Sequence, residues 1–203
     1  TLTFLGITPV IAAFQQSYPG INIQLYEAHS NELMKKLQAS EIDVAFLTAP
    51  NECEKQMEYD FYPLIHDKLV LLVSKSHFLA KKKMKDLSEV SQEKFLLAKS
   101  SEDFRNMIMN ACRQAGFKPN IILESSQIET IKGFVEEGLG IAFFSRRIAS
   151  YNLNAKTSIV DLPASVENIR RIAGLAIPKN NHQLVTRTFK NFVLSKMEQR
   201  DAI

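Results

Sequence analysis

The side chains in this sequence that could do chemistry are hydroxyls at points where predicted strands end and predicted helices begin. They are Ser30, Thr48, Ser100, Ser101, Ser126 and Ser145. In an open α/β sheet such turns meet at the carboxyl ends of the strands, where ligands bind. Helix N-termini at this edge present free N–H groups and partial positive charge to an anion. The set predicts a crevice that binds a small anionic molecule without chemistry, while any single serine could instead only cap its helix.

No catalytic motif accompanies these hydroxyls. The sequence lacks the phosphate-binding G-x-x-x-x-G-K-[ST], the zinc motif H-E-x-x-H and the nucleophile elbow G-x-S-x-G. Gly138 and Gly140 form a G-x-G after a predicted helix and before a predicted strand, which reverses the order of a dinucleotide fingerprint. Ser91 to Lys94 matches S-x-x-K, but no K-T-G partner exists. We therefore predict that the chain is not an enzyme.

Metal and cofactor sites are not predicted either. The histidines are scattered through predicted turns and strand ends: His29, His66, His77 and His182. Because no cysteines or carboxylates cluster with them, we interpret each as a surface residue. Cys53 and Cys112 form no metal pattern and no disulfide framework, so a reducing compartment and two small buried side chains are expected. The sequence thus predicts no cofactor and no metal.

The composition is that of an ordinary globular protein. The 203 residues are 45% hydrophobic and 23% charged, with a formal net charge of +3, which by itself does not indicate nucleic acid. No apolar run approaches the roughly 18 residues of a membrane span, and nothing at Thr1 resembles a signal peptide. The basic run Lys81 to Lys85 is expected to be a solvated turn, with an anion contact as the alternative.

A 25-residue pattern occurs twice and organises the chain. One copy runs from Gln24 to Thr48 and the other from Ile121 to Ser145. Each copy is predicted to be a strand, an amphipathic helix and a second strand, which is the crossover that parallel strands need. Five identities between the copies fit either a duplication or the shared periodicity of two βαβ units. The pattern predicts two similar α/β lobes.

Local residues support the two crossover helices. Ser126 and Glu129 fit the S-x-x-E capping box, and Gly138 stands where the left-handed conformation would end the helix. In the first copy we expect Ser30 to cap a helix over residues 31–39.

The other elements are predicted from apolar spacing. Residues 1–4 are predicted to be a strand, and residues 7–18 a helix with Pro9 in its first turn. Residues 59–65 and 68–74 are predicted to be two strands, the second apolar enough to be buried on both faces. Further predicted elements are a short helix over 86–90, strands over 95–97, 159–162 and 169–177, a helix over 102–115 and a short helix or turn over 146–151. The last is a final helix with one apolar face, formed by Val185, Phe189, Phe192 and Val193. Because no linker rich in Gly or Pro divides the chain, the lobes should be joined by strands.

Five segments resemble, in order, the motifs of one family, the effector-binding domain of LysR-type transcriptional regulators. They are Ile11–Pro19, ending like F-x-x-x-Y-P; Leu25–Leu33; Leu37–Ala45, like L-x-x-G-x-x-D-x-A; His77–Ala80, like H-P-L-A; and Val135–Ala142, like V-x-x-G-x-G-I-A. The resemblance covers nearly the whole chain.

The resemblance implies an α/β fold of two Rossmann-like lobes joined by two crossing strands, as in periplasmic binding proteins of type 2. Lobe I would comprise residues 1–73 and 176–203, and lobe II residues 74–175. It also implies a cytoplasmic bacterial protein that forms homodimers, and tetramers in the intact regulator. Promoter DNA would be bound by an N-terminal winged helix-turn-helix that this chain does not contain. A small-molecule effector in the interlobe cleft would act by shifting the population of lobe arrangements.

Carried over by position, the resemblance and the hydroxyl pattern together predict the effector-binding residues Ser30, Thr48, Ser100, Ser101, Phe104, Gln127 and Ser145. Three departures from the family are the absent winged helix, Ser40 in place of a usual glycine, and a first strand-to-helix loop that is nearly missing between Thr3 and Leu5. For the loop we expect that a mobile segment of the native protein was left out of this sequence, and that the native protein carries no deletion there. Ser145 also stands where the family often has proline.

Two other functions stay open at this point. A solute-binding protein of a transport system would share the two-lobe fold. A two-domain α/β enzyme would need a cluster of titratable groups with perturbed pKa values, for which the sequence offers no candidate.

Overall fold

The computed structural model describes residues 2–48, 58–99, 102–166 and 170–201. The chain forms two compact units. Unit 1 comprises residues 1–66 and 172–203, and unit 2 comprises residues 67–171.

The helices are α1 (Thr8–Ser17), α2 (Ser30–Gln38), α3 (Glu102–Gln114), α4 (Ile128–Glu136), α5 (Arg146–Ser150) and α6 (Leu184–Asp201). The strands are β1 (Ala45–Thr48), β2 (Tyr59–Ser74), β3 (Lys94–Ala98), β4 (Asn120–Ser125), β5 (Ile141–Ser145), β6 (Thr157–Asp161) and β7 (Arg170–Pro178). Two short 3₁₀ helices span Phe78–Lys81 and Leu87–Val90. Both unit boundaries fall inside strands, β2 and β7, which confirms that the chain passes between the units through strands.

Unit 1 has helices on both faces of an antiparallel strand pair. Ala45 of β1 lies opposite Ala176 of β7. Because side chains alternate along a strand, Phe46 packs toward α1 and α6, whereas Ala45 packs with the Leu33 and Leu37 side chains of α2. The helices α1, α2 and α6 and the strands β1, β2 and β7 thereby share two apolar clusters.

Unit 2 is a five-stranded sheet in the order β6, β2, β5, β3, β4. Strand β3 is parallel to both β4 and β5, so the second predicted βαβ crossover, from β4 through α4 to β5, is confirmed. The residues of β2 from Leu69 to Val73 are at most 4% exposed and alternate between a cluster with α3 and a cluster with α4. This confirms a strand buried on both faces.

Several predicted elements differ from the structure. Residues 2–6 form turns that lead into α1 instead of a strand, with the Ile7 N–H donating to the Leu2 carbonyl at 3.0 Å. Residues 24–27 form no strand: no residue in the described ranges pairs with them, and Leu25 remains 65% exposed. The predicted break at His66 and Asp67 is absent, since β2 continues through both.

Further corrections concern single side chains. Val185 is 47% exposed at the start of α6, whereas Phe189 and Val193 are buried. His77 is half-buried, not a surface residue: its Nδ1 accepts the Leu79 N–H at 3.2 Å and caps the first 3₁₀ helix. Among the residues that the structure describes, no helix has the length and apolar character needed to cross a bilayer.

Candidate functional site

The structure describes five of the seven predicted site residues. These are Ser30, Thr48, Phe104, Gln127 and Ser145. Ser100 and Ser101 lie outside the described residues. The five fall in both units, so each unit has its own group of candidate residues.

In unit 1 the structure brings Ser30 and Thr48 together. Thr48 is the last residue of β1 and Ser30 is the first residue of α2. The Thr48 N–H donates to the Ser30 Oγ at 3.4 Å, so the serine hydroxyl lies at the carboxyl end of the strand. The prediction that Ser30 caps α2 is wrong, since the cap position is His29 and no side chain there accepts a helix N–H. The first turn of α2 therefore keeps donors that an anion could use.

In unit 2 the N-terminus of α4 forms the corresponding feature. Its cap position is Gln127, whose extended backbone directs the chain into the helix and whose side chain makes no capping bond. The predicted Ser126 capping box is absent; instead the neighbouring Ser125 Oγ accepts the Gln127 N–H at 3.1 Å. The Lys99 N–H donates to the Ser125 carbonyl at 2.7 Å, so the ends of β3 and β4 meet beside this helix N-terminus.

Ser145 lies at the end of β5 and is the cap position of α5, but its side chain makes no capping bond. It is 4% exposed. The carboxylate of Asp67 binds the first turn of α5 instead, because both of its oxygens accept the Arg147 N–H at 3.3 Å. The hydroxyl of Ser145 is consequently a buried polar group beside a helix N-terminus that a carboxylate already occupies.

Phe104 lies in the first turn of α3 and is 4% exposed within the main apolar cluster of unit 2. The guanidinium carbon of Arg171 lies 4.9 Å from the centre of its ring, a cation–π contact. Phe104 thus contributes apolar packing and a ring face that binds the cation of Arg171.

Burial shifts the pKa values of two groups in unit 2. Burial lowers the pKa of the Lys132 ammonium, and the carboxylates of Glu129 and Glu136 oppose that effect. Burial also raises the pKa of the Cys112 thiol to about 12, so this thiol is an inert core group, as predicted. Within the described ranges no group of three or more His, Cys, Asp or Glu side chains could hold a metal ion.

Sequence reasoning missed three residues at these sites: Ser125, Asp67 and Lys132. Ser125 is one position before the serine that fitted the capping box. Asp67 looked like a break between two strands, and only its pairing with α5 reveals its role. Lys132 lies among the apolar positions of α4 and is 5% exposed. A charged residue on the apolar face of a helix was the one signal that could have identified it.

The family model of the LysR substrate binding domain matches residues 1–198 of this chain. The chain belongs to the LysR substrate-binding domain family. It is 28% identical over 200 residues to the HTH-type transcriptional regulator YybE of Bacillus subtilis, covering 98% of this chain and 66% of YybE. It is also 28% identical over 195 residues to the transcriptional dual regulator GltC of the same organism, covering 94% of this chain and 63% of GltC.

Solved structures show the same fold. The Synechocystis CcmR regulatory domain in complex with 2-PG superposes with a TM-score of 0.81 at 22% identity, covering 95% of this chain and 91% of that domain. The BenM effector binding domain with benzoate also superposes with a TM-score of 0.81, at 21% identity, covering 99% of this chain and 88% of that domain. This LysR substrate-binding domain therefore has the predicted α/β fold of the type 2 periplasmic-binding-protein class. The chain spans 63–66% of the length of the two curated regulators compared above.

Proposed function

We propose that this domain is the effector-sensing part of a cytoplasmic, bacterial LysR-type transcriptional regulator. It binds a small anionic effector without chemical conversion. Binding changes how the intact regulator, through a DNA-binding region outside this chain, meets promoter DNA. The two curated relatives compared here are named transcriptional regulators, which favours this function over a transport solute-binding protein.

One observation carries the anionic part of the proposal. Helices α2 and α4 both begin at the carboxyl end of a strand, and neither has a side-chain cap. Each leaves donors and partial positive charge at a point where a hydroxyl or amide side chain is also present. Benzoate and shikimate, named as ligands of related domains, are carboxylates, and this agrees with the same chemistry.

The proposed effector residues are Ser30, Thr48, Ser100, Ser101, Phe104, Gln127 and Ser145. Units 1 and 2 would correspond to lobes I and II of the family, and the position of the effector between the lobes stays a prediction from the resemblance. The shift in population requires that the effector bind one lobe arrangement more tightly than another. We also propose that the domain forms homodimers, and the intact regulator tetramers, which light scattering at rising protein concentration would test.

Calorimetric titration of the domain with benzoate, shikimate and inorganic phosphate tests the proposal, with neutral benzamide as the matched control. We expect at least one anion to bind and benzamide to bind more weakly. Changing Ser30→Ala and Ser101→Ala together should weaken binding by about tenfold or more, since each removes a hydrogen bond worth about 1 kcal/mol. Ser195→Ala, on an exposed position of α6, should leave affinity unchanged. Equal affinity in the double variant and the control would show that the site is wrong.

A further inference from the structure

Two charged side chains are buried in the described part of the chain, and they have opposite signs. Asp67 and Lys132 are each 5% exposed. Both belong to unit 2. Because a buried charge without a partner is strongly unfavourable, the groups that compensate each charge indicate what it does.

Both charges bind the same five-residue helix. The Asp67 carboxylate accepts the Arg147 N–H of the first turn of α5, with both oxygens at 3.3 Å. The Lys132 Nζ donates to the Ile148 carbonyl at 3.2 Å and to the Tyr151 carbonyl, at the other end of the helix. The signs match the helix dipole, with the negative group at the N-terminus and the positive group at the C-terminus.

Helix α5 is too short to form by itself in water. The hydroxyl of Ser145 does not cap it, and Ala149 is its one fully buried side chain. Ile148 is half-buried and packs with Ala149 in an apolar cluster that includes residues of α4 and β5. The surface contact of α5 is an ion pair between Arg146 and Asp161 of β6, both partly exposed and therefore weak. The two buried charges therefore bind the two ends of α5 specifically, Asp67 at the N-terminus and Lys132 at the C-terminus.

We propose that Asp67 and Lys132 are positioning residues that hold α5 at both ends and thereby fix Ser145 and Arg147 for the binding of the anionic effector. The Arg147 guanidinium has no carboxylate partner among the described residues, so α5 carries a cation next to a proposed effector residue. The link to binding rests on the function proposed above, whereas the hold on α5 does not. Lys132 also joins α5 to α4, whose N-terminal residue Gln127 is another proposed effector residue of this unit.

Amide hydrogen exchange measured by NMR on the ligand-free domain tests the hold on α5. The probes are the N–H of Arg147, which bonds Asp67, and that of Tyr151, which bonds the Arg147 carbonyl at 3.1 Å. In Lys132→Met and in Asp67→Asn both should exchange about tenfold faster or more, since bonds to charged groups are lost or weakened. Asp161→Asn, which removes only the surface ion pair, should change both by less than about threefold. Asp67→Asn conserves shape, so it decides the question if Lys132→Met does not fold.

Titration with the tightest binder among benzoate, shikimate and phosphate tests the link to binding. We expect Asp67→Asn to weaken this affinity about fivefold or more, while Asp161→Asn leaves it unchanged. Unchanged exchange at Arg147 and Tyr151 in a folded Asp67→Asn variant would overturn the hold on α5. Faster exchange with unchanged affinity would overturn the link to the effector. If no anion binds the wild-type domain, the proposed function and this link fall together, whereas the exchange result still decides the hold on α5.

Discussion

Three glycines within eight residues of unit 2 should respond to alanine in three different ways. Gly133 lies inside α4, and a Cβ there would meet no atom within 4 Å. Gly138 follows the end of α4 with a φ of +75°, also in open space. Gly140 lies before β5, where a Cβ would be 2.5 Å from the Lys94 carbonyl oxygen and 3.1 Å from its carbon. Alanine at these three positions therefore tests three different effects. They are helix propensity at Gly133, the left-handed backbone at Gly138 and the close approach of two strands at Gly140.

The expected changes in the free energy of unfolding follow from these environments. Gly133→Ala should stabilise the domain by about 0.5–1 kcal/mol, because alanine has less freedom to lose in the unfolded chain. Gly138→Ala should destabilise it by about 1–2 kcal/mol, the cost of a left-handed residue with a Cβ. Gly140→Ala should destabilise it by about 2–4 kcal/mol, since the overlap is with the backbone of β3 and cannot be relieved by rotating a side chain.

Urea denaturation followed by far-UV circular dichroism measures all three variants against the wild-type domain. The predicted order of stability is Gly133→Ala, wild type, Gly138→Ala and Gly140→Ala. Wild-type stability of Gly140→Ala would refute the close approach between Gly140 and Lys94. A stable Gly138→Ala variant would refute the left-handed end of α4, and loss of stability in Gly133→Ala would refute the open space around that helix position.

Three further predictions follow from single side chains. In a Cys53→Ser background, Cys112 should resist iodoacetamide at pH 8 in the folded domain and react after denaturation, because burial raises its pKa to about 12; modification of the native protein, detected by mass spectrometry, would contradict this. The Lys82 ammonium and two backbone N–H groups hold the pKa of Glu89 at about 2, below the ordinary value of 4.5. The stability that this carboxylate contributes is therefore present above about pH 4.5 and is lost as the pH falls through about 2. NMR titration should show that pKa rising in Lys82→Met, and an unmoved pKa would exclude the contact. Phe14→Ala should cost about 3–5 kcal/mol in urea denaturation, because Phe14 is 1% exposed in the core of unit 1; a cost below about 1 kcal/mol would refute that packing.

Apolar spacing predicted several elements and their burial correctly. The apolar positions of α4 predicted the helix, and Gly138 predicted where it ends. The positive φ of Gly138 confirms the left-handed conformation there. The apolar run from Leu69 to Val73 predicted burial on both faces, which the two clusters confirm. These features depend on local periodicity and backbone chemistry, which the sequence contains directly.

Helix caps were predicted wrongly for a different reason. Ser30, Ser126 and Ser145 each stand at a position that favours a capping hydroxyl, yet none caps its helix in the structure. A serine hydroxyl bonds whichever N–H its rotamer reaches, and Ser30 reaches Thr48, eighteen residues away. The same limit explains why a strand was wrongly predicted for residues 24–27. A strand needs a hydrogen-bonded neighbour, and a short stretch of sequence does not show whether one exists.

The sequence by itself determined the α/β class, the family motifs and their order, and the hydroxyl residues from which the effector site was proposed. These depend on residue type and spacing, which can be read from the sequence without knowledge of the fold. Only the tertiary structure decided that Asp67 and Lys132, separated by 65 positions in the printed sequence, bind opposite ends of α5. A buried charge is stabilised by whichever dipoles surround it, and those are assembled only when distant segments pack together.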